Sequence, residues 1–177
     1  MKRESFTSAS ALPLKLMKLA TTAVDYEGII HPLHVQISPT NKCNLFCDFC
    51  SCANREVREE LSKENMHRLI RDISASGTLA VTITGGGEPL LYQHLNYMVD
   101  ELFSRGIRIG LVTNGILLGK TDKEVLRKLT WCRISVSDDR DVEELLASVN
   151  VAVIKAPKVD WAFSYVCLLY TSPSPRD

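Results

Sequence analysis

Between Leu33 and Ile154 the chain repeats one unit, a short run that alternates apolar and polar residues followed by a longer stretch with apolar residues at helical spacing. Leu33–Ser38 sets Leu33, Val35 and Ile37 against His34, Gln36 and Ser38. Ser62 caps a helix carrying Met66, Leu69, Ile70 and Ile73, which Gly77 ends. Leu79–Thr84 is the second strand, with Val81 and Ile83 opposite Thr82 and Thr84. Its helix carries Leu95, Met98, Val99, Leu102 and Phe103 and stops at Gly106. Ile107–Thr113 is the third strand. Thr121 and Glu124 make a capping box before Val125, Leu126 and Leu129. Cys132–Ser137 is the fourth strand, followed by a helix with Val142, Leu145, Leu146 and Val149. Asn150–Ile154 reads as a fifth strand.

Repetition of this kind predicts an α/β fold with a parallel sheet and right-handed crossovers. A strand covered on both faces should be apolar throughout. Three strands here keep a polar face: His34/Gln36/Ser38, Thr82/Thr84 and Ser135/Ser137. Those faces suit a wet or ligand-filled interior. The expectation is a partial (β/α) barrel of six strand–helix units, about five of them in this chain.

Composition excludes several classes. At 177 residues, 45% hydrophobic and 24% charged, the chain is an ordinary globular domain. Its 21 basic and 21 acidic residues leave no positive field that would make nucleic acid the default partner. No apolar run approaches the roughly 20 residues of a membrane span. Lys15 and Lys18 interrupt the apolar part of the N-terminus, which argues for a leader or helix over residues 1–32 and against a secretory signal. Residues 33–166 form the expected core. Residues 167–177, rich in Ser and Pro, read as a disordered or non-native tail, so Cys167 is left out of every site.

Four of the six cysteines fall at 43, 47, 50 and 52. Such crowding points to metal or redox chemistry in a reducing compartment, and so to a cytoplasmic protein. Cys43, Cys47 and Cys50 make a C-x3-C-x2-C pattern just after the first strand. Parallel folds put their sites at strand C-terminal ends. Three thiolates on one loop can hold three irons of a four-iron cluster and leave the fourth open to a small molecule. Two other readings compete. Zinc with Cys52 as fourth ligand lacks the usual second separated pair. A Cys47–Cys50 redox pair leaves Cys43 without a role.

With Phe49 before its last cysteine, the pattern resembles the signature of the radical S-adenosylmethionine (radical SAM) superfamily. The resemblance implies a [4Fe-4S] cluster on Cys43, Cys47 and Cys50, with S-adenosyl-L-methionine chelating the open iron. It implies reductive cleavage to a 5'-deoxyadenosyl radical that takes a hydrogen from a small-molecule or peptide substrate. An electron donor such as flavodoxin or ferredoxin is implied with it. Phe49 then contacts the adenine.

Gly85-Gly86-Gly87-Glu88-Pro89 follows the second strand and resembles the family's G-G-E-P element. Gly86, Gly87 and Pro89 would there meet the cofactor's ammonium, with Glu88 adding negative charge. Thr113 and Asn114, in Thr-Asn-Gly at the end of the third strand, match a sequence common near the cofactor. Ser135 and Ser137 match the strand that meets its carboxylate or ribose; many relatives have Ser-x-Asp there, which leaves Asp138 without a clear counterpart. His31, His34, His67 and His94 show no ligand spacing. Trp131 and Trp161 suit core or rim, and Arg55–Glu60 reads as a solvated loop.

Overall fold

The computed structural model describes residues 31–137 and 141–166, together with Met17 and Gly28. Most of the expected leader segment, the tail and Asp138 lie outside the described residues. The elements are β1 (His34–Ile37), α1 (Lys63–Ala75), β2 (Ala80–Ile83), α2 (Leu95–Ser104), β3 (Arg108–Thr113), α3 (Lys123–Arg127), β4 (Trp131–Ser137), α4 (Val142–Lys155) and β5 (Asp160–Val166). Single 3-10 turns lie at Pro89–Leu91 and Leu118–Lys120. The five strands are all parallel, in the order β1-β2-β3-β4-β5. This is the α/β partial barrel that the sequence predicts.

Strand parity divides the sheet chemically. Ile37, Ile83, Leu111 and Cys132 sit side by side in register and continue to Trp161. This apolar row joins one core with Met66, Ile70 and Ile73 of α1 and Met98, Val99 and Leu102 of α2. Leu126 of α3 and Leu145, Val149 and Ala152 of α4 complete it. The next row, Gln36, Thr82, Gly110, Trp131 and Asp160, lies on the opposite face. There His34 Nε2 and Thr82 Oγ1 are 2.7 Å apart, which satisfies two polar groups across adjacent strands. The Trp131 indole lies over Gly110, where any side chain would run into the ring. That packing fills one end of the polar face, so only part of the expected interior is open.

Two local expectations change. The third helix is capped by Asp122, whose carboxylate accepts from the Glu124 amide, and not by Thr121. The expected strand at Asn150–Ile154 is helix. α4 is capped by Asp141, which accepts from the Glu143 and Glu144 amides, and runs from Val142 to Lys155. Leu145, Val149 and Ala152 make one buried stripe at i, i+4 and i+7, so packing overrides the β-branched character of Val151, Val153 and Ile154. The fifth strand follows at Asp160, with the whole of β5 in register against β4.

Candidate functional site

The cysteine loop leaves β1 through Pro39–Lys42, and backbone pairs hold this segment from two sides. The Gly87 amide donates to the Thr40 carbonyl at 3.0 Å and the Glu88 amide to the Lys42 carbonyl at 2.7 Å. From the other side Asn41 donates to Glu59 at 3.0 Å and Leu61 to Pro39 at 2.8 Å. Gly87 is required for this approach: a Cβ there would overlap the Lys42 carbonyl oxygen. The glycine run is therefore the surface on which the cysteine loop docks.

Glu60 braces the same segment. Its carboxylate accepts from Thr40 Oγ1 at 2.9 Å and Gln93 Nε2 at 2.6 Å, and Lys42 Nζ is 3.3 Å away. Burial alone would push this carboxyl up. The hydrogen bonds from Thr40, Lys42 and Gln93 and the Lys42 charge outweigh it and hold Glu60 below the ordinary carboxylate value. Tyr92 Oη donates to the Leu61 carbonyl at 2.9 Å, and burial, aided by the Glu60 charge, pushes its phenol up to about 12.

Glu88 joins the second and third strand ends. It is buried, and one oxygen accepts from the Leu90 amide at 3.0 Å and Thr113 Oγ1 at 2.7 Å. The other accepts from the Asn114 amide at 2.8 Å. These bonds give the carboxylate a positioning role that its sequence context did not reveal. Asn114 Nδ2 donates to Asn44 Oδ1 at 2.7 Å, which ties the cysteine loop to the end of β3. Ser148 of α4 fixes the turn that follows: its Oγ lies 2.9 Å from the Gly115 and Ile116 carbonyls and accepts from the Gly119 amide.

The result is one cleft of about 320 Å³. Cys43, Cys47 and Cys50 line one wall; Gly86, Gly87, Glu88 and Pro89 line another; Thr113, Asn114 and Ser135 close the third. Ten of the twelve expected site residues thus converge. Phe49 and Ser137 do not line the cleft: Phe49 is exposed and Ser137 is buried. Phe46 and Val57, exposed apolar residues, join the rim, and so does Arg55.

The sequence places Arg55 in a solvated loop, yet the side chain organises the cysteine segment. Its Nε donates to the Asn41 carbonyl at 2.7 Å and its Nη1 to the Cys52 carbonyl at 2.6 Å. A cation five residues after the last cysteine was the available signal, but the charges around it (Glu56, Arg58, Glu59, Glu60) hid it.

The donor set suits an iron–sulfur cluster. Cys43, Cys47 and Cys50 form no disulfide and, half-buried, all line the same cleft. Among the described residues no three Cys, His, Asp or Glu side chains gather tightly enough to hold a single metal ion. A cluster asks for something else, one thiolate for each of three irons.

The sequence profile of the Radical SAM superfamily matches residues 37–154. The chain belongs to the radical SAM superfamily. Members of this superfamily are enzymes that carry a [4Fe-4S] cluster and S-adenosyl-L-methionine. A GTP 3',8-cyclase of Staphylococcus epidermidis is 34% identical over 146 residues, covering 73% of this chain and 42% of the cyclase. One from Staphylococcus carnosus matches to the same extent. The chain therefore spans less than half the length of these curated relatives. Among solved radical SAM structures, BtrN in complex with AdoMet and 2-DOIA aligns with a TM-score of 0.59 at 16% identity, over 75% of this chain and 56% of BtrN. Native anSMEcpe with bound AdoMet and Cp18Cys peptide aligns at 0.56 and 18%, over 77% of this chain and 43% of that one. Both establish the fold. Among the described residues no helix is long and apolar enough to cross a membrane.

Proposed function

We propose that residues 33–166 are the cofactor-binding core of an enzyme that cleaves S-adenosyl-L-methionine reductively, with a [4Fe-4S] cluster on Cys43, Cys47 and Cys50. The observation that carries this is the shared cleft, where three thiols of one loop face the Gly86–Pro89 turn and the Thr113–Asn114 strand end. The chemistry supplied when the group is bound is one-electron reduction of the sulfonium, giving methionine and a 5'-deoxyadenosyl radical that takes a hydrogen atom from substrate.

The chain's own residues hold and orient. Gly86 and Gly87 have no side chains where the turn packs on Asn41 and Lys42, which brings the cysteine loop beside the turn. The turn's backbone carbonyls would accept from the cofactor's ammonium. Glu88 fixes that turn against Thr113 and Asn114. Ser135 offers a hydroxyl at the far wall. The electron comes from a donor such as flavodoxin or ferredoxin, in the reducing cytoplasm where the crowded thiols survive. Identity of 34% to GTP 3',8-cyclases supports a small-molecule substrate, whereas the peptide-bound neighbour, at 18%, speaks for the fold alone.

Anaerobic incubation with iron and sulfide tests the proposal. The expected product is brown protein with about four irons per chain, and reduction in the presence of S-adenosyl-L-methionine yields 5'-deoxyadenosine. Replacing Cys43, Cys47 or Cys50 by Ala abolishes both, while Cys52→Ala leaves both intact. Colourless protein that retains zinc refutes the reading and supports a non-catalytic metal module.

A further inference from the structure

We infer that Arg55 is a positioning residue that sets the reduction potential of the cluster through a directed N–H···S contact to Cys50. The proposal rests on the reading of Cys50 as an iron ligand. Arg55 Nη1 lies 3.7 Å from Cys50 Sγ, a hydrogen-bond distance for the larger sulfur atom. The same nitrogen donates to the Cys52 carbonyl, and Nε donates to the Asn41 carbonyl. Nη1 carries two hydrogens, enough for the sulfur and one carbonyl together.

The two short carbonyl bonds explain why this contact is more than chance proximity. They clamp the planar guanidinium to the backbone on both sides of the cysteine turns, so its third donor has little freedom to leave the sulfur. Among the described residues no carboxylate forms an ion pair with Arg55. Its charge is therefore not cancelled by a carboxylate, and beyond the two carbonyl oxygens it grips, the Cys50 sulfur lies within reach of Nη1. Arg55 also stands at the rim of the cleft itself.

Hydrogen bonds to the cysteine sulfurs and local charge are among the terms that set a cluster's potential. Reduction adds negative charge, part of which resides on the thiolates. A fixed cation donating to one of them favours the reduced state and raises the potential. Lysine can restore the charge but not the fork, because its ammonium is a mobile point charge without the rigid, two-directional donors that grip Asn41 and Cys52.

The experiment compares midpoint potentials of reconstituted clusters by dye-mediated titration followed by EPR, without S-adenosyl-L-methionine. Arg55→Ala should shift the potential to a more negative value with iron content unchanged. Arg55→Lys should shift it in the same direction by less. Arg58→Ala, which removes the same charge from an exposed neighbouring position, should leave it where it was. An unchanged potential in an iron-replete Arg55→Ala chain overturns the proposal. So does an equal shift in Arg58→Ala, which would make the effect one of general charge. Should Arg55→Ala take up no iron, Arg55→Lys decides: an iron-replete Lys variant with the native potential, or one that also fails to assemble the cluster, assigns Arg55 to loop assembly alone and overturns the proposal. Failure of the cluster reading itself is distinguishable, because the unaltered chain would then take up no iron.

Discussion

Replacing Gly87 by Ala adds one methyl group at the point where two backbones meet. The new Cβ would overlap the Lys42 carbonyl oxygen and stand 2.5 Å from the Asn41 carbonyl carbon and 2.7 Å from that of Lys42. All three atoms are backbone, so no side chain can swing aside. Ordinary carbon contacts need roughly 3.5 Å or more, so the turn and the segment 40–42 must separate by about 1 Å. That displacement breaks the Gly87-to-Thr40 and Glu88-to-Lys42 hydrogen bonds. Two such bonds at about 1 kcal/mol each, with about 1 kcal/mol of residual overpacking, give a loss of about 3 kcal/mol. For a chain of this length that lowers Tm by about 6–12 °C. Gly85→Ala is the internal control. Its Cβ would meet nothing closer than 3.4 Å, and its φ is not positive, so Tm should stay within about 2 °C of the parent. Calorimetry or circular dichroism on both variants reads the difference, and iron uptake by Gly87→Ala should fall in parallel as the cysteine loop moves. A Gly87→Ala chain with the parent Tm, or a Gly85→Ala chain equally damaged, would refute the docking argument.

Three further outcomes follow from the same contacts. Glu88→Gln turns an NH2 group toward donors that the carboxylate accepts from, so it should cost about 2–3 kcal/mol, read as a lower urea midpoint; an unchanged midpoint would deny the bridge its importance. Glu60 has its carboxyl held below its ordinary 4.5, so its contribution is present above that value and lost as pH falls through the folded one. The stability gap between parent and Glu60→Gln should thus be constant from about pH 7 to about pH 5 and shrink in more acid solution, and a gap that widens there contradicts it. Burial, and secondarily the Glu88 charge, push the Cys132 thiol far above the usual range, so it should resist alkylation in the folded chain and react only in denaturant, as mass spectrometry of labelled peptides would show.

Much of this arrangement is legible in the residues. The apolar runs place β1 to β4 within a residue or so; in β1, β2 and β4 Val or Ile alternates with polar side chains, whereas β3 carries Val112 on the face opposite Ile109 and Leu111. The fifth strand escaped because Asn150–Ile154 has the composition of a strand. Only the capping by Asp141 and the buried stripe through Ala152 make it the last turns of α4. The spacing of the three cysteines announces the site. Its geometry depends on long-range backbone pairing, such as Thr40 against Gly87, which no local pattern encodes. Ser135 and Ser137 share a strand face, yet Ser135 reaches the cleft and Ser137 is sealed, a difference of depth that parity does not record. Arg55 was hidden in a run of alternating charge that looked solvated. Its value lies in the carbonyl groups of Asn41 and Cys52, backbone acceptors that no side-chain pattern reveals.

The strands pair strictly with their neighbours in sequence, from β1 through to β5. Among the described residues, those that line the cleft all fall between Cys43 and Ser135. Among these strands, each unit from β1 to β4 therefore sets its part of the wall beside that of the unit before it in sequence. Substitutions within α4 or β5 therefore replace none of the described residues that line the cleft, and act on it only through contacts such as that of Ser148 with the Gly115 turn.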